Sequence, residues 1–232
     1  MEQARAHGVP VVAIDGPSGS GKGTVARLLA RRSGWHLLDS GALYRLVAIA
    51  GNLAGLGSDD VGAHAALALG MRVRFAFDAQ DREQVWLDER EVSDELRTEA
   101  AAAGASRVAG WPAVRSALLE RQRAFAGPPG LIADGRDMGT IVFPHAPLKI
   151  FLTASPEERA RRRYKQLKDK DSSVTLAGLS LEIAERDRRD RMRPVAPLVP
   201  AADALILDST ALNAAEVAEQ IYAHGRSRLL WP

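Results

Sequence analysis

A chain of 232 residues with 46% hydrophobic content can bury one α/β core and carry an inserted subdomain, which excludes several large domains. Charged residues make up 26% and the formal net charge is only +2, so the uniformly basic surface of a nonspecific nucleic-acid binder is absent. The absence of cysteine excludes a disulfide framework, thiolate metal ligands and a cysteine nucleophile.

The N-terminal MEQARAHGVP has no apolar leader core, and the longest aliphatic runs are strand-sized. Neither a signal peptide nor a spanning helix is expected, and the protein reads as soluble and cytoplasmic. Val9 to Asp15 is an apolar run that ends in an acid and then glycines, as a buried parallel strand does where it enters a loop. Thr24 to Arg32 follows as a helix stopped by Ser33-Gly34, then a short strand Trp35 to Leu38, then an Ala/Leu-rich helix from about Gly41 to Leu53. Strand, glycine loop, helix and strand make a βαβ unit.

From Asp59 to Glu99 eleven acids accompany five arginines, and Met71 to Phe77 and Gln84 to Val92 alternate apolar with polar residues around a DAQDR turn. This predicts a small antiparallel element set into a parallel core. Helices are expected over Asp94 to Ala109 and Pro112 to Phe125, and strands over Leu131 to Asp134 and Leu148 to Leu152. Ser155-Pro156-Glu157-Glu158 reads as a capping box that opens a helix, which breaks at DKDSS. A second helix spans Leu176 to Met192, ahead of a strand at Ala204 to Leu207 and a C-terminal helix from Asn213. About five parallel strands alternating with helices predict a three-layer α/β/α fold with function at the strands' carboxyl ends.

Between the first strand and helix stand Gly16, Pro17, Ser18, Gly19, Ser20, Gly21, Lys22, Gly23 and Thr24. Glycines there let backbone N–H groups turn inward around phosphate oxygens, the helix N-terminus adds partial positive charge, and Lys22 supplies an ammonium for the β- and γ-phosphates. Phosphate binding is therefore the expected role of the loop. The strict pattern places Ser or Thr directly after the lysine, whereas here Gly23 intervenes, so direct magnesium ligation by Thr24 stays open. Asp15, Asp39 and Asp134 fall at strand ends where an acid can hold Mg2+ directly or through water, and Asp134 is the strongest candidate. The five histidines show no ligand spacing.

Twelve of the 31 basic residues lie between Ser155 and Arg193. Arg159, Arg162 and Arg163 share a helical face that suits a lid over ATP phosphates, and Arg186, Asp190 and Arg193, at i, i+4 and i+7, share another. Eight acids in the same segment support an equally plain reading, a solvated helix laced with Arg–Asp pairs.

Four segments taken together, IDGPSGSGKGT (Ile14 to Thr24), LLDSGALYR (Leu37 to Arg45), IADGRDMGT (Ile132 to Thr140) and ERDRRDRMRPVAPL (Glu185 to Leu198), resemble the bacterial cytidylate kinases. The resemblance implies the P-loop fold of the nucleoside monophosphate kinases, with a core (about 1–58, 105–154 and 194–232), an acceptor-binding insert at about 59–104 and a lid with arginine-rich helices at about 155–193. It implies ATP-dependent phosphorylation of CMP and dCMP with Mg2+, by a monomer that binds neither nucleic acid nor membrane. It also implies that Lys22, Arg136, Arg186 and Arg193 act at the transferring phosphate, with Arg159 and Arg162 toward ATP. Toward CMP it implies Ser40, Tyr44 and Arg45, then Ser106, Arg115 and Asp137 as base readers, and Arg186, Asp190 and Arg193 at the sugar and phosphate. UMP or AMP as acceptor is the alternative within the same chemistry. An arginine-rich nucleic-acid binder is the alternative outside it, and only Tyr164 interrupts the basic run with an aromatic ring.

Overall fold

The computed structural model describes residues 8–77, 83–168 and 174–231. Strand β1 (Val11–Asp15) is buried throughout and forms the middle of a five-stranded parallel sheet, with β2 (His36–Asp39), β6 (Leu131–Gly135), β7 (Leu148–Thr153) and β8 (Leu205–Asp208) in the order β2-β6-β1-β7-β8. The strand begins at Val11, because Pro10 has no N–H to give a neighbour and instead accepts from the Leu131 amide at 2.9 Å.

Helix α1 (Lys22–Ser33) follows β1 and ends where Gly34, at φ 69°, takes the left-handed conformation of a helix stop. Helix α8 (Ala214–Ser227) is opened by a full capping box between Asn213 and Glu216. Val25, Ala26 and Leu29 of α1 and Val217 and Ile221 of α8 bury against Val12, Ile14, Ile150 and Leu152 of the sheet. Two further helices, α6 (Pro156–Leu167) and α7 (Leu176–Arg191), precede β8. Ser155 caps α6 by accepting from the Glu158 amide, while the Glu158 carboxylate takes Arg161 and Arg162.

The chain divides into two compact units, one made of the chain up to Asp39 and from Arg123 onward, the other of Ser40–Gln122. The second holds α2 (Ser40–Leu53), α3 (Val61–Gly70), the antiparallel sheet β3 (Val73–Phe77), β4 (Glu83–Leu87) and β5 (Arg90–Glu91), then α4 (Glu99–Val108) and α5 (Pro112–Arg123), whose last residue belongs to the first unit. The antiparallel element expected from the alternating pattern is present, though its DAQDR turn at 78–82 lies outside the described residues. Helix α3 was not expected, because VGAHAALALG is nearly all small or apolar and carries little amphipathic signal. The helix expected over Asp94 to Ala109 is divided: a 3-10 turn Glu95–Arg97 comes first, and Thr98 then caps α4 by accepting from the Ala101 amide.

Candidate functional site

The phosphate loop leaves the carboxyl end of β1 in a conformation that its glycines make possible. Gly16 has φ 148°, and a Cβ there would stand 2.0 Å from the Leu152 carbonyl oxygen. Gly19 and Gly21 sit at φ 78° and 93°, with a Cβ on Gly19 meeting Arg159 Cβ at 3.0 Å. Lys22 is buried, with Nζ donating to the Pro17 carbonyl at 2.8 Å and to Ser20 Oγ at 3.5 Å. Thr24 is exposed on the first turn of α1.

Charge is crowded around that lysine. Burial, and then the nearby guanidinium groups of Arg136 and Arg186, push the Lys22 ammonium down to about 7, against the pull of Asp134 and Asp15. Asp134, next to the last residue of β6, lies directly across from Asp39 of β2, and burial, aided by Asp39, pushes its carboxyl up to about 6 despite Lys22 and Arg136. A Cβ on Gly23 would stand 3.2 Å from Asp134 Oδ2, so the glycine after the lysine leaves room beside this carboxylate. Two adjacent acids that repel one another beside a phosphate loop fit a hard divalent cation. Among the described residues no group of three or more His, Cys, Asp or Glu gathers as a metal cage.

Of the three residues expected to share one helical face, Arg186 and Asp190 lie in α7 and Arg193 does not. Helix α7 closes at Arg191, so Arg193 lies beyond its end and reaches back to Asp190 Oδ1. The other oxygen of Asp190 accepts from Arg136 Nε at 3.1 Å. Burial acts to raise the Asp190 pKa, but Arg136, Arg193 and Arg186 outweigh it and hold this carboxyl below its usual range. Arg186 donates to Ser18 Oγ at 3.4 Å, which joins α7 to the phosphate loop.

The face of α6 expected to close over phosphates is committed to protein partners. Arg159 forks onto the buried Asp187 at 3.0 and 2.6 Å and donates to the Ser18 carbonyl at 3.1 Å. Arg162 meets the carbonyls of Ser20 and Ser209 and the hydroxyl of Ser209. Both arginines therefore bear on the phosphate loop through its outer carbonyls. Asp187 and Ser209 were not singled out by sequence reading. Asp187 sits one residue from Arg186 in a run of alternating charges, and only burial distinguishes it from its solvated neighbours.

In the second unit, Ser40 is buried and donates to Gln122 Oε1 at 2.7 Å. Tyr44 is buried on the same helix, Arg45 is half-buried, and the Arg115 guanidinium stands 5.8 Å from the Tyr44 ring centre while donating to the Ala109 carbonyl. The Ser106 hydroxyl is buried on α4 with no hydrogen-bond partner among the described residues. The ordinary role of a helical serine, bonding its own backbone, is thus not taken up. Asp137 belongs to the first unit, where it is buried and precedes a π turn, Met138–Val142.

The cytidylate kinase family matches this chain over residues 12–227. Among curated relatives, a cytidylate kinase of Pseudomonas aeruginosa (strain LESB58) is 59% identical over 217 residues, covering 93% of this chain and 95% of its own length. One from Pseudomonas fluorescens (strain Pf0-1) is 60% identical over 214 residues, covering 91% and 93%. Among solved structures, a shikimate kinase from Acinetobacter baumannii in complex with shikimate aligns over 95% of this chain and 94% of its own at 16% identity, with a TM-score of 0.46.

Proposed function

This chain belongs to the cytidylate kinase family and transfers the terminal phosphate of ATP to CMP and dCMP; we propose that Lys22 and the phosphate loop hold the donor while Arg136, Arg186 and Arg193 receive the acceptor's phosphate. The supporting observation is the crowding of positive charge around Lys22, whose ionisation is depressed first by burial and then by Arg136 and Arg186. Such mutual repulsion is costly until a polyanion enters, and two phosphate chains supply that anion.

The chemistry asks little covalent help of the protein. An oxygen of the CMP phosphate attacks the γ-phosphorus, the bond from that phosphorus to the β–γ bridging oxygen breaks, and ADP leaves. The attacking oxygen is already anionic, so no general base is needed. Loop amides and Lys22 hold the β- and γ-phosphates, while the guanidinium groups offset repulsion between the two nucleotides and align them. Arg159 and Arg162 serve ATP by bracing the Ser18 and Ser20 carbonyls, which keeps the loop's N–H groups turned inward. Magnesium, held by Asp134 directly or through water with Asp39 beside it, would neutralise charge on the donor phosphates.

Cytosine presents an amino donor and two acceptors, which suit Asp137 as acceptor and Ser106 and Arg115 as donors. The orphaned Ser106 hydroxyl supports that assignment. Ser40, Tyr44 and Arg45 complete the acceptor set, with Arg186 and Asp190 at the sugar hydroxyls. We assign 59–104 as the acceptor-side insert and 155–193 as the lid, in a cytoplasmic monomer.

Purified protein assayed for ADP production with CMP, dCMP, UMP and AMP should show its highest kcat/KM with the two cytidine nucleotides. Turnover of AMP with none of CMP or dCMP would overturn the reading.

A further inference from the structure

Asp15 is the last residue of β1, immediately before the phosphate loop. Its side chain crosses to the stretch after β6, where Oδ1 accepts from the Met138 amide and Oδ2 from the Gly139 amide, both at 2.8 Å. These amides open the π turn, whose first N–H groups have no partner within the turn. Asp137 stands at the cap position, but its own side chain makes no cap bond there, so the cap comes from another strand. The turn is pinned on its other sides as well. Met138 is fully buried, and a Cβ on Gly135 would stand 2.8 Å from its side chain. A Cβ on Gly139 would stand 3.1 Å from Lys149 Cδ and 3.4 Å from Asp15 Oδ2.

Arg136 and Asp137 are the two residues between the strand and this pinned turn. We propose that Asp15 is a positioning residue for the acceptor: by gripping the Met138 and Gly139 amides it sets the aim of Arg136 and Asp137, and thereby ties the acceptor's contacts to the start of the phosphate loop. The inference rests on the assignment of Arg136 and Asp137 to CMP. A carboxylate suits the task because both oxygens accept, and an isosteric amide would turn an NH2 against one of the two N–H groups.

The test is steady-state kinetics on the full chain with Asp15→Asn and, separately, Gly139→Ala, which crowds the same clamp from its other side. For either folded variant, KM for CMP should rise tenfold or more while KM for ATP moves less than twofold. A merely structural lesion would move both substrates together. If Asp15→Asn does not fold, Gly139→Ala decides. Unchanged CMP kinetics, or equal shifts for CMP and ATP, in the folded variants would overturn the positioning role. Wild-type protein without CMP turnover would instead overturn the kinase reading, and this inference with it.

Discussion

Lys22 illustrates how a residue can be costly to the fold and needed by the chemistry. Its folded pKa, depressed by burial and by Arg136, lies near 7, below the 10.5 of an ordinary lysine. Between those values the unfolded chain binds more protons than the folded one, so this residue's contribution to stability grows as pH rises from 7 to 10.5 and is lost as pH falls through 7. Lys22→Met removes both properties. Phosphoryl transfer should fall by about 1000-fold or more. In urea unfolding at pH 7.5 and 9.5, the stability of wild type relative to the variant should shift in wild type's favour at the higher pH. Unchanged turnover would sink the donor-site assignment, and an opposite shift would deny that the lysine is held below its usual ionisation.

Helices α6 and α7 are joined by one buried ion pair. Arg159 and Asp187 are almost wholly withdrawn from solvent, at 3% and 5% side-chain exposure, which places the pair among those whose two halves depend on one another. Asp187→Ala leaves a buried guanidinium uncompensated and should cost about 3–5 kcal/mol. The double replacement Arg159→Met with Asp187→Leu should recover most of that loss in urea unfolding, since an apolar pair of similar volume pays no desolvation. Additive losses in the double variant would show that the two helices are held by packing alone. The contrast with Arg188 and Glu185 on the solvent side of α7 is instructive: that pair is 60% and 51% exposed, and no comparable penalty is expected for it.

At the scale of the whole molecule, the unit bearing the phosphate loop is closed at its C-terminal end by aromatic rings. Trp231 stacks on Tyr222 at 5.0 Å and 17°, meets Trp35 edge-on at 5.0 Å, and donates from its indole to the Tyr222 carbonyl. Gly225 makes room for it, since a Cβ there would stand 2.1 Å from the indole ring. This cluster joins the end of the chain to the α1 and α8 layer beneath β1. Trp231→Ala should cost about 3–5 kcal/mol, seen as a lower melting temperature with loss of buried tryptophan fluorescence. An unchanged melting temperature would mean that the rings cover the core without holding it.

Much of this was legible in the amino-acid order alone. Parallel strands announce themselves as short apolar runs that reach an acid at Asp15, Asp39 and Asp134, and GPSGSGKGT has few uses other than a phosphate cradle, because its glycines stand where side chains cannot. The i, i+4 relation of Arg186 and Asp190 likewise follows from helical periodicity. Folding alone decided what depends on partners distant in sequence. Asp15 and Gly139 are 124 residues apart and meet only because β1 lies between β6 and β7. Arg159 looks like any lid arginine until Asp187 takes its fork, and Ser106 looks like any helical serine until burial strips its hydroxyl of partners. Local pattern records what a residue's neighbours along the chain require of it. Burial and opposing charge, which set the chemistry of these side chains, are properties of the packed chain, and no short window of sequence contains them.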